Sequence, residues 1–386
     1  MHIPHATPLL LAGMIALFPL TAWPAFETVE MLGQVLFFDK NLSKNRTQAC
    51  ATCHDPANGF ADARSNATAG AVSLGDDNTS LGDRNAPTAS YAAFSPPFHL
   101  NQDGVYVGGQ FHDGRAKNLT EQASGPPTNP IEMGLPDKAA VVIRLQENKQ
   151  YVSSFKKFYG EDIFDDTDNA YAAMAQSIAA FEKTAYFSPF DSKYDRYLRG
   201  EYTLSEAEDL GMTLFFSEQF TNCNLCHQLK KLPGREGETF TDYHYHNIGI
   251  PINKKARNVN GVPESHTDKG LLDNPSVHDP AQAGKFKVPT LRNVAVTAPY
   301  MHNGVFSDLR TVVLFYNKYN SRSETRQINP ETGQRWQSPE IAENLSRHEL
   351  ETGPALDDKR IDALVAFMKA LTDQRYEHLL NQPLQD

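Results

Sequence analysis

The sequence predicts a mostly α protein that consists of two similar helical halves. Apolar residues recur at helical spacing over residues 169–186 and again over residues 359–373, which predicts one long amphipathic helix in each half. Short segments also recur in the same order: Gly33–Phe38 (GQVLFF) matches Gly211–Phe216 (GMTLFF), and Ala180–Lys183 (AFEK) matches Ala366–Lys369 (AFMK). One folding unit is therefore expected twice, with a boundary near residue 190.

The composition is that of a globular protein, because 40% of the 386 residues are hydrophobic and 22% are charged. These fractions exclude a disordered chain and a polytopic membrane protein. The formal net charge is −11 and the sequence has no run of Lys and Arg. Nucleic acid and anionic membrane surfaces are therefore not expected as partners.

Residues 1–25 are predicted to be a signal peptide. They contain no Asp, Glu, Lys or Arg, and Leu9–Leu20 is an apolar stretch of signal-peptide length that is too short to span a bilayer comfortably. An uncleaved N-terminal anchor is the alternative. No other segment reaches the length of about 18 apolar residues that a membrane helix needs. We expect an exported protein of the periplasm, with no membrane span in its mature form.

The four cysteines occur in two copies of one pattern, CxxCH: first Cys50, Cys53 and His54, and then Cys223, Cys226 and His227. Two disulfides or a thioredoxin-like pair are the alternatives, but neither needs a histidine directly after both pairs. In a c-type haem site, each thiol adds to a haem vinyl group and the adjacent imidazole binds the iron. The pattern therefore predicts two covalently bound haem c groups, one in each half.

With these sites, the halves are predicted to be two cytochrome-c-like helical haem domains with long loops. The first domain is expected to cover residues 26–190 and the second residues 191–386. In each domain the recurring segment that ends in two phenylalanines predicts a short helix directly before the haem-attachment site. The loops over residues 55–110 and 228–290 are rich in Pro and Gly, and few convincing strands interrupt the helices.

The two halves differ at a position that bears on iron binding. When they are aligned on His112 and His302, the residue fourteen positions later is Pro126 in the first half and Tyr316 in the second. Proline cannot bind iron, whereas a tyrosine phenolate can. Met301 and His302 are the alternative ligands of the second iron.

Two polar residues lie near Pro126 in an otherwise apolar, proline-rich segment. They are Gln122 and Glu132. A carboxyl group can move a proton between the two oxygens of a peroxide, and an amide can donate a hydrogen bond to it. The pair therefore suits peroxide activation. From the residues alone, a structural role for Glu132 and for Tyr316 stays open.

The chain resembles the bacterial dihaem cytochrome c peroxidases and their MauG-like relatives, from about Gly33 to its end. The motifs that carry the resemblance are RNAPT (Arg84–Thr88), GGQFHDGRA (Gly108–Ala116), EQASGP (Glu121–Pro126), NPIEM (Asn129–Met133), FKVPTLRNV (Phe286–Val294) and TAPYMHNG (Thr297–Gly304). The resemblance implies a haem peroxidase-type oxidoreductase.

The resemblance implies that the His54 haem reacts with hydrogen peroxide, in a pocket lined by Gln122, Pro126 and Glu132. No histidine occurs between Asp55 and Phe98, where many family members carry one that blocks the first iron, so we expect an open first haem.

For the second haem, the resemblance implies the ligands His227 and Tyr316. Tyrosine at the last position is typical of MauG-like enzymes, whereas ordinary cytochrome c peroxidases have methionine. A calcium ion would lie between the haems, held by Asn85 and by the backbone oxygens of Thr297 and Pro299.

The sequence departs from the family pattern at two positions. His112 stands where the family usually has the tryptophan of an FWDGRA motif, between the haems. His112 has two possible roles: it takes part in electron transfer, or it only packs as its repeat partner His302 does. Thr221 stands where MauG itself has a tryptophan through which oxidising equivalents leave.

Three functions follow as hypotheses. In the first, the enzyme uses hydrogen peroxide to oxidise side chains of a partner protein, as MauG-like enzymes do. Some relatives act on methylamine dehydrogenase precursors and others on copper-binding proteins, and the sequence does not choose between them. In the second, it is a cytochrome c peroxidase that takes electrons from a small cytochrome or cupredoxin. In the third, it is a dihaem electron carrier. The remaining histidines of the loops are expected at the surface or in supporting positions: His99, His244, His246, His266 and His278.

Overall fold

The computed structural model describes residues 23–229, 237–263 and 265–381. The signal peptide predicted over residues 1–25 lies almost entirely outside the described residues. Within the described ranges, no helix is both long and apolar enough to cross a membrane. The predicted mostly α fold is confirmed, since helices joined by long loops make up both halves.

Six α-helices precede residue 190 and six follow it in the described chain. In the first half they are α1 (Val29–Phe38), α2 (Cys50–Cys53), α3 (Leu119–Ala123), α4 (Lys138–Gln146), α5 (Lys149–Tyr159) and α6 (Thr167–Glu182). In the second half they are α7 (Lys193–Leu198), α8 (Glu206–Phe215), α9 (Lys254–Arg257), α10 (Leu309–Asn317), α11 (Arg347–Glu351) and α12 (Asp358–Ala370).

Three antiparallel ladders of two-residue strands interrupt the loops of the described chain. They are β1 (His99–Leu100) with β2 (Tyr106–Val107), β3 (Tyr245–His246) with β4 (Phe286–Lys287), and β5 (Ile328–Asn329) with β6 (Gln334–Arg335). His99 and His246 therefore lie in strands and not in loops, because they pair with Val107 and Phe286 respectively.

Both predicted long helices are present, with shifted ends. The helix expected over residues 169–186 is α6, which begins after Asp166, whose carboxylate accepts the backbone N–H of Asn169 at 2.9 Å. The helix ends at Glu182 because the next backbone N–H groups donate to the carbonyl three residues earlier instead of four. The N–H of Lys183, for example, donates to the carbonyl of Ala180. The helix expected over residues 359–373 is α12 and spans Asp358–Ala370.

The recurring segments form the same helix crossing in both halves. A Cβ atom on Gly33 of α1 would lie 1.8 Å from the carbonyl oxygen of Ser177 in α6. Likewise, a Cβ atom on Gly211 of α8 would lie 1.9 Å from the carbonyl oxygen of Ala363 in α12. Only glycine allows so close an approach of two backbones. The sequence repeat is therefore a repeat of one packed helix pair.

Each helix pair belongs to its own hydrophobic core. One core runs along the chain from Leu32 to Phe187, and the other from Tyr194 to Leu371. Phenylalanines at the same place in the repeat, Phe37 and Phe215, are both 2% exposed or less. The division into domains at residues 190 and 191 stays a prediction.

Arg84, the first residue of the RNAPT motif, joins the two halves. Its guanidinium donates two hydrogen bonds to Asp268, at 2.7 and 2.6 Å, and one to Asp113 at 2.5 Å. Such a bidentate pair fixes orientation as well as distance. The next residue, Asn85, donates its backbone N–H to the carbonyl of His302 at 2.7 Å. The RNAPT motif is therefore held against the second half.

Candidate active site

Each CxxCH segment lies in the wall of a cavity. The first cavity has a volume of about 430 Å³ and is lined by Cys50, Cys53 and His54 among other residues. The second has a volume of about 340 Å³ and is lined by Cys223, Cys226 and His227. No disulfide joins any of the four cysteines.

The imidazoles of both segments are oriented for iron binding. The Nδ1 atom of His54 lies 3.3 Å from the carbonyl oxygen of Phe60, and that of His227 lies 2.9 Å from the carbonyl oxygen of Phe240. An Nδ1–H group that donates to a carbonyl leaves Nε2 with its lone pair, which is the arrangement of a metal-binding histidine. Burial lowers the pKa of both imidazoles and favours this neutral form. The residues present fit a haem c group in each cavity.

The three residues predicted to handle peroxide line the same cavity as His54. Gln122 lies in α3, which begins after Asn118, and Pro126 begins a single 3₁₀ turn. The chain then folds back, because the N–H of Met133 donates to the carbonyl of Pro126 at 3.3 Å. This return brings Glu132 to the wall of the first cavity together with Gln122 and Pro126.

Glu132 is in a setting that favours its protonated form. Burial raises the pKa of its carboxyl group, and the nearby Arg115 and Asn129 offset only part of the rise. A carboxylic acid whose pKa is raised keeps its proton to a higher pH than an ordinary glutamic acid does. The first cavity therefore has a buried carboxyl group in its wall, and a role for Glu132 in proton transfer stays a prediction.

The second cavity contains all three candidates for the second axial ligand. Tyr316, from the C-terminal part of α10, lines it together with Met301 and His302. Burial raises the pKa of the Tyr316 phenol, and the next largest contributions come from Cys226 and Cys223, which places the phenol near the haem-attachment segment. The ring of His302 instead stacks on Phe286 at 3.6 Å. This arrangement favours Tyr316, which stays a prediction.

His112 lies between the two cavities and lines both of them. Its Nε2 atom is 2.9 Å from the carbonyl oxygen of Asn85. Burial is the main cause that lowers the pKa of His112 to about 4, so the ring is neutral at physiological pH. Its position matches the one expected for a residue between the haems, and its role in electron transfer stays a prediction.

The residues predicted to bind calcium also come together. Asn85, Thr297 and Pro299 all line the second cavity. The Asn85 amide donates through Nδ2 to the carbonyl of Ala71 at 3.0 Å, which leaves its Oδ1 atom as a hard oxygen ligand. The donor set is one that calcium prefers, and the site itself stays a prediction.

Glu182 is a cavity residue that the sequence analysis did not single out. It lies at the end of α6, lines the first cavity and is 5% exposed, and its Oε2 atom has no hydrogen-bond partner in the described chain. Burial raises its pKa to about 8. Its counterpart in the repeat is Met368, which lines the second cavity. The sequence repeat could have identified Glu182, because the alignment of AFEK with AFMK pairs its carboxyl group with the thioether of Met368.

Comparison with known proteins gives consistent matches. Residues 27–203 match the family described as di-haem cytochrome c peroxidase. The chain is 54% identical to the methylamine utilization protein MauG of Paracoccus denitrificans, over 94% of this chain and 92% of that protein. It is 31% identical to the MauG of Methylophilus methylotrophus, over 74% and 71% respectively. The crystal structure of the diheme peroxidase BthA from Burkholderia thailandensis matches with a TM-score of 0.78 and 31% identity, over 91% of this chain and 87% of that one.

Proposed function

The chain belongs to the family of di-haem cytochrome c peroxidases and MauG proteins, and we propose that it uses hydrogen peroxide to oxidise side chains of a partner protein. It is a haem peroxidase-type oxidoreductase with two haem c groups. The overall reaction would balance as follows: hydrogen peroxide accepts two electrons and two protons and becomes two water molecules, while side chains of the partner lose the same number of each.

The first cavity would receive the peroxide. A haem held there by Cys50, Cys53 and His54 supplies an iron centre that can give electrons to the O–O bond. Glu132, whose buried carboxyl group has a raised pKa, would move a proton from the near oxygen of the peroxide to the far one. Gln122 would hold the peroxide through its amide N–H, and Pro126 offers no side-chain ligand that could block the iron.

The presence of Tyr316 in the wall of the second cavity carries the proposal for a protein substrate. An anionic phenolate oxygen stabilises the more oxidised states of iron, whereas a methionine sulfur raises the reduction potential and favours electron delivery. With His227 and Tyr316 as ligands, the second centre would store an oxidising equivalent for the partner. His112, between the cavities, would connect the two centres.

A calcium ion held by Asn85, Thr297 and Pro299 would fix the segment between the cavities. Asn85 supports this role because its carbonyl also accepts a hydrogen bond from His112 at 2.9 Å, if the imidazole carries its proton on Nε2. Calcium would then hold the relay residue and the wall of the second cavity in one arrangement.

The proposed partner belongs to methylamine utilization and the proposed location is the periplasm. The name of the relative with 54% identity supports the first proposal. The apolar, uncharged leader over residues 1–25 supports the second. We take a methylamine dehydrogenase precursor as the test substrate.

The experiment mixes the dihaem protein with hydrogen peroxide and the precursor, and follows the mass of precursor peptides. We expect a loss of hydrogen or a gain of oxygen at defined side chains, only when peroxide is present. The Glu132→Gln variant serves as a control with impaired peroxide use. An unmodified precursor, together with steady turnover of peroxide by a reduced small cytochrome c, would instead establish the cytochrome c peroxidase function.

A further inference from the structure

A cluster of one carboxylate and two imidazoles lies outside the peroxide site. The Oδ2 atom of Asp242 is 3.2 Å from Nδ1 of His244 and 3.9 Å from Nε2 of His246. The three ligand atoms lie within 4.8 Å of one another. The backbone N–H of Asp242 donates to the carbonyl of Cys226 at 2.9 Å, so the cluster borders the second haem-attachment segment. None of its three side chains takes part in the functions proposed above.

The local structure aims these three side chains at one point. Asp242 is turned by a bond from the backbone N–H of His244 to its Oδ1 atom, at 2.9 Å, which leaves Oδ2 facing both rings. His244 and His246 flank Tyr245 in the extended segment around β3, where residues two apart share a face. Nδ1 of His246 is 3.2 Å from the hydroxyl of Ser346, which orients the ring with Nε2 toward Asp242.

The inner nitrogen of His246 is the second observation. Its Nε2 atom is buried and has no hydrogen-bond partner within the described residues. A buried polar atom that is left unpaired is destabilising, so native structures almost always satisfy such atoms. At 3.9 Å, the Asp242 oxygen is too far for a hydrogen bond but close enough to share a cation with this nitrogen.

The donor set selects the kind of cation. Two imidazole nitrogens and one carboxylate oxygen are ligands of zinc and related transition metals, whereas calcium and magnesium prefer oxygen alone. In a tetrahedral zinc site with bonds of about 2.1 Å, ligand atoms lie about 3.4 Å apart. The 3.2 Å between Asp242 and His244 already fits that spacing, and the 3.9 Å between Asp242 and His246 needs a movement of about half an ångström. The two imidazole nitrogens lie within 4.8 Å of each other and would also have to adopt that spacing.

We propose that Asp242, His244 and His246 bind a divalent transition-metal ion of the zinc type. The ion would lie at the edge of the second cavity, whose wall includes His246, and would be distinct from the haem irons and from the predicted calcium. The His244 side chain is 28% exposed, which gives the ion a path from solvent. Three protein ligands leave a fourth position for water. Ser346 supports the site from outside, as hydrogen-bond partners of metal-binding histidines usually do.

The first test uses the dihaem protein after passage over a chelating resin, incubation with zinc chloride and gel filtration. We expect one retained zinc ion per chain by elemental analysis, and its loss in His244→Ala and in His246→Ala. The matched control is His278→Ala, which removes an exposed histidine outside the cluster and should retain the ion. The haem absorbance per chain reports whether each variant has folded. Equal zinc retention in all four proteins, or none in the parent, would overturn the proposal.

The second test does not depend on any variant. X-ray absorption at the zinc edge of the loaded parent should show nitrogen and oxygen neighbours at about 2.0–2.2 Å and the outer-shell pattern of two imidazoles. A spectrum with no imidazole contribution would place the zinc elsewhere and would show that Asp242 and the two histidines form only a hydrogen-bonded group.

Discussion

The buried carboxyl group of Glu182 should make the stability of the folded protein depend on pH. Its pKa is raised from an ordinary value of 4.5 to about 8, mainly by burial. Between these two pH values the folded chain retains a proton that the unfolded chain has released. The contribution of Glu182 to the free energy of unfolding should therefore be largest below about pH 4.5 and should fall as the pH rises to about 8.

The size of the effect follows from the same two values. They differ by 3.5 (8 minus 4.5), and each pH unit corresponds to about 1.36 kcal/mol, so the total is about 5 kcal/mol. This is an upper limit, because a charged Glu182 can draw water into the cavity or turn toward Lys183. A Glu182→Gln variant keeps the shape and loses the titration, so its stability should not contain this slope.

The assay is urea unfolding followed by far-UV circular dichroism, at several pH values between 5 and 9, with haem content measured for each protein. The difference in unfolding free energy between the parent and Glu182→Gln should change by more than about 1 kcal/mol over this range, in favour of the variant at high pH. Glu161→Gln, which alters an exposed carboxyl group, is the control and should show no such change. A difference that stays constant with pH would refute the reasoning.

Three further predictions concern the two cavities. Glu132→Gln should slow the reaction with peroxide by about 10² in stopped-flow measurements, while the exposed Glu121→Gln should not; equal rates would move proton transfer to Gln122 or to water. Tyr316→Phe should alter the low-spin EPR signal and leave the His54 haem high-spin; an unchanged signal would mean that Met301 or His302 binds the second iron. Imidazole is harder to oxidise than indole, so His112→Trp should lengthen the lifetime of the peroxide-oxidised state, and His112→Ala should confine that state to the first centre. Identical stopped-flow absorbance traces for the parent and both variants would show that residue 112 does not transfer electrons.

The sequence alone could predict the haem-attachment residues and that Gln122, Pro126 and Glu132 would lie together near His54, while their role with peroxide stays a prediction. Attachment of the haem fixes the spacing of Cys50, Cys53 and His54, so the pattern can be recognised from the sequence without knowledge of the fold. Gln122 and Glu132 could be found because they interrupt an apolar, proline-rich segment, and both lie in the first cavity as expected.

The features that the sequence did not reveal depend on distant contacts. Glu182 ends an amphipathic helix, and only the packing of α6 against the cavity shows that its carboxyl group is buried. His246 was expected in a loop at the surface or in a supporting position. It lies in a strand instead, because β3 pairs with β4, forty residues later, and Ser346, one hundred residues later, orients its ring. No local pattern encodes partners at such separations.

The identical crossing of α1 on α6 and of α8 on α12 has an evolutionary consequence. After a duplication, the glycine at each crossing is under pressure to persist, because any side chain would meet a backbone carbonyl less than 2 Å away. In the partner helices α6 and α12, a buried phenylalanine is followed by a residue that lines a cavity and is free of that constraint. This residue is Glu182 in the first half and Met368 in the second. The Glu182 and Met368 pair shows that the two cavities can differ in chemistry at this position without any change in the helices that carry it.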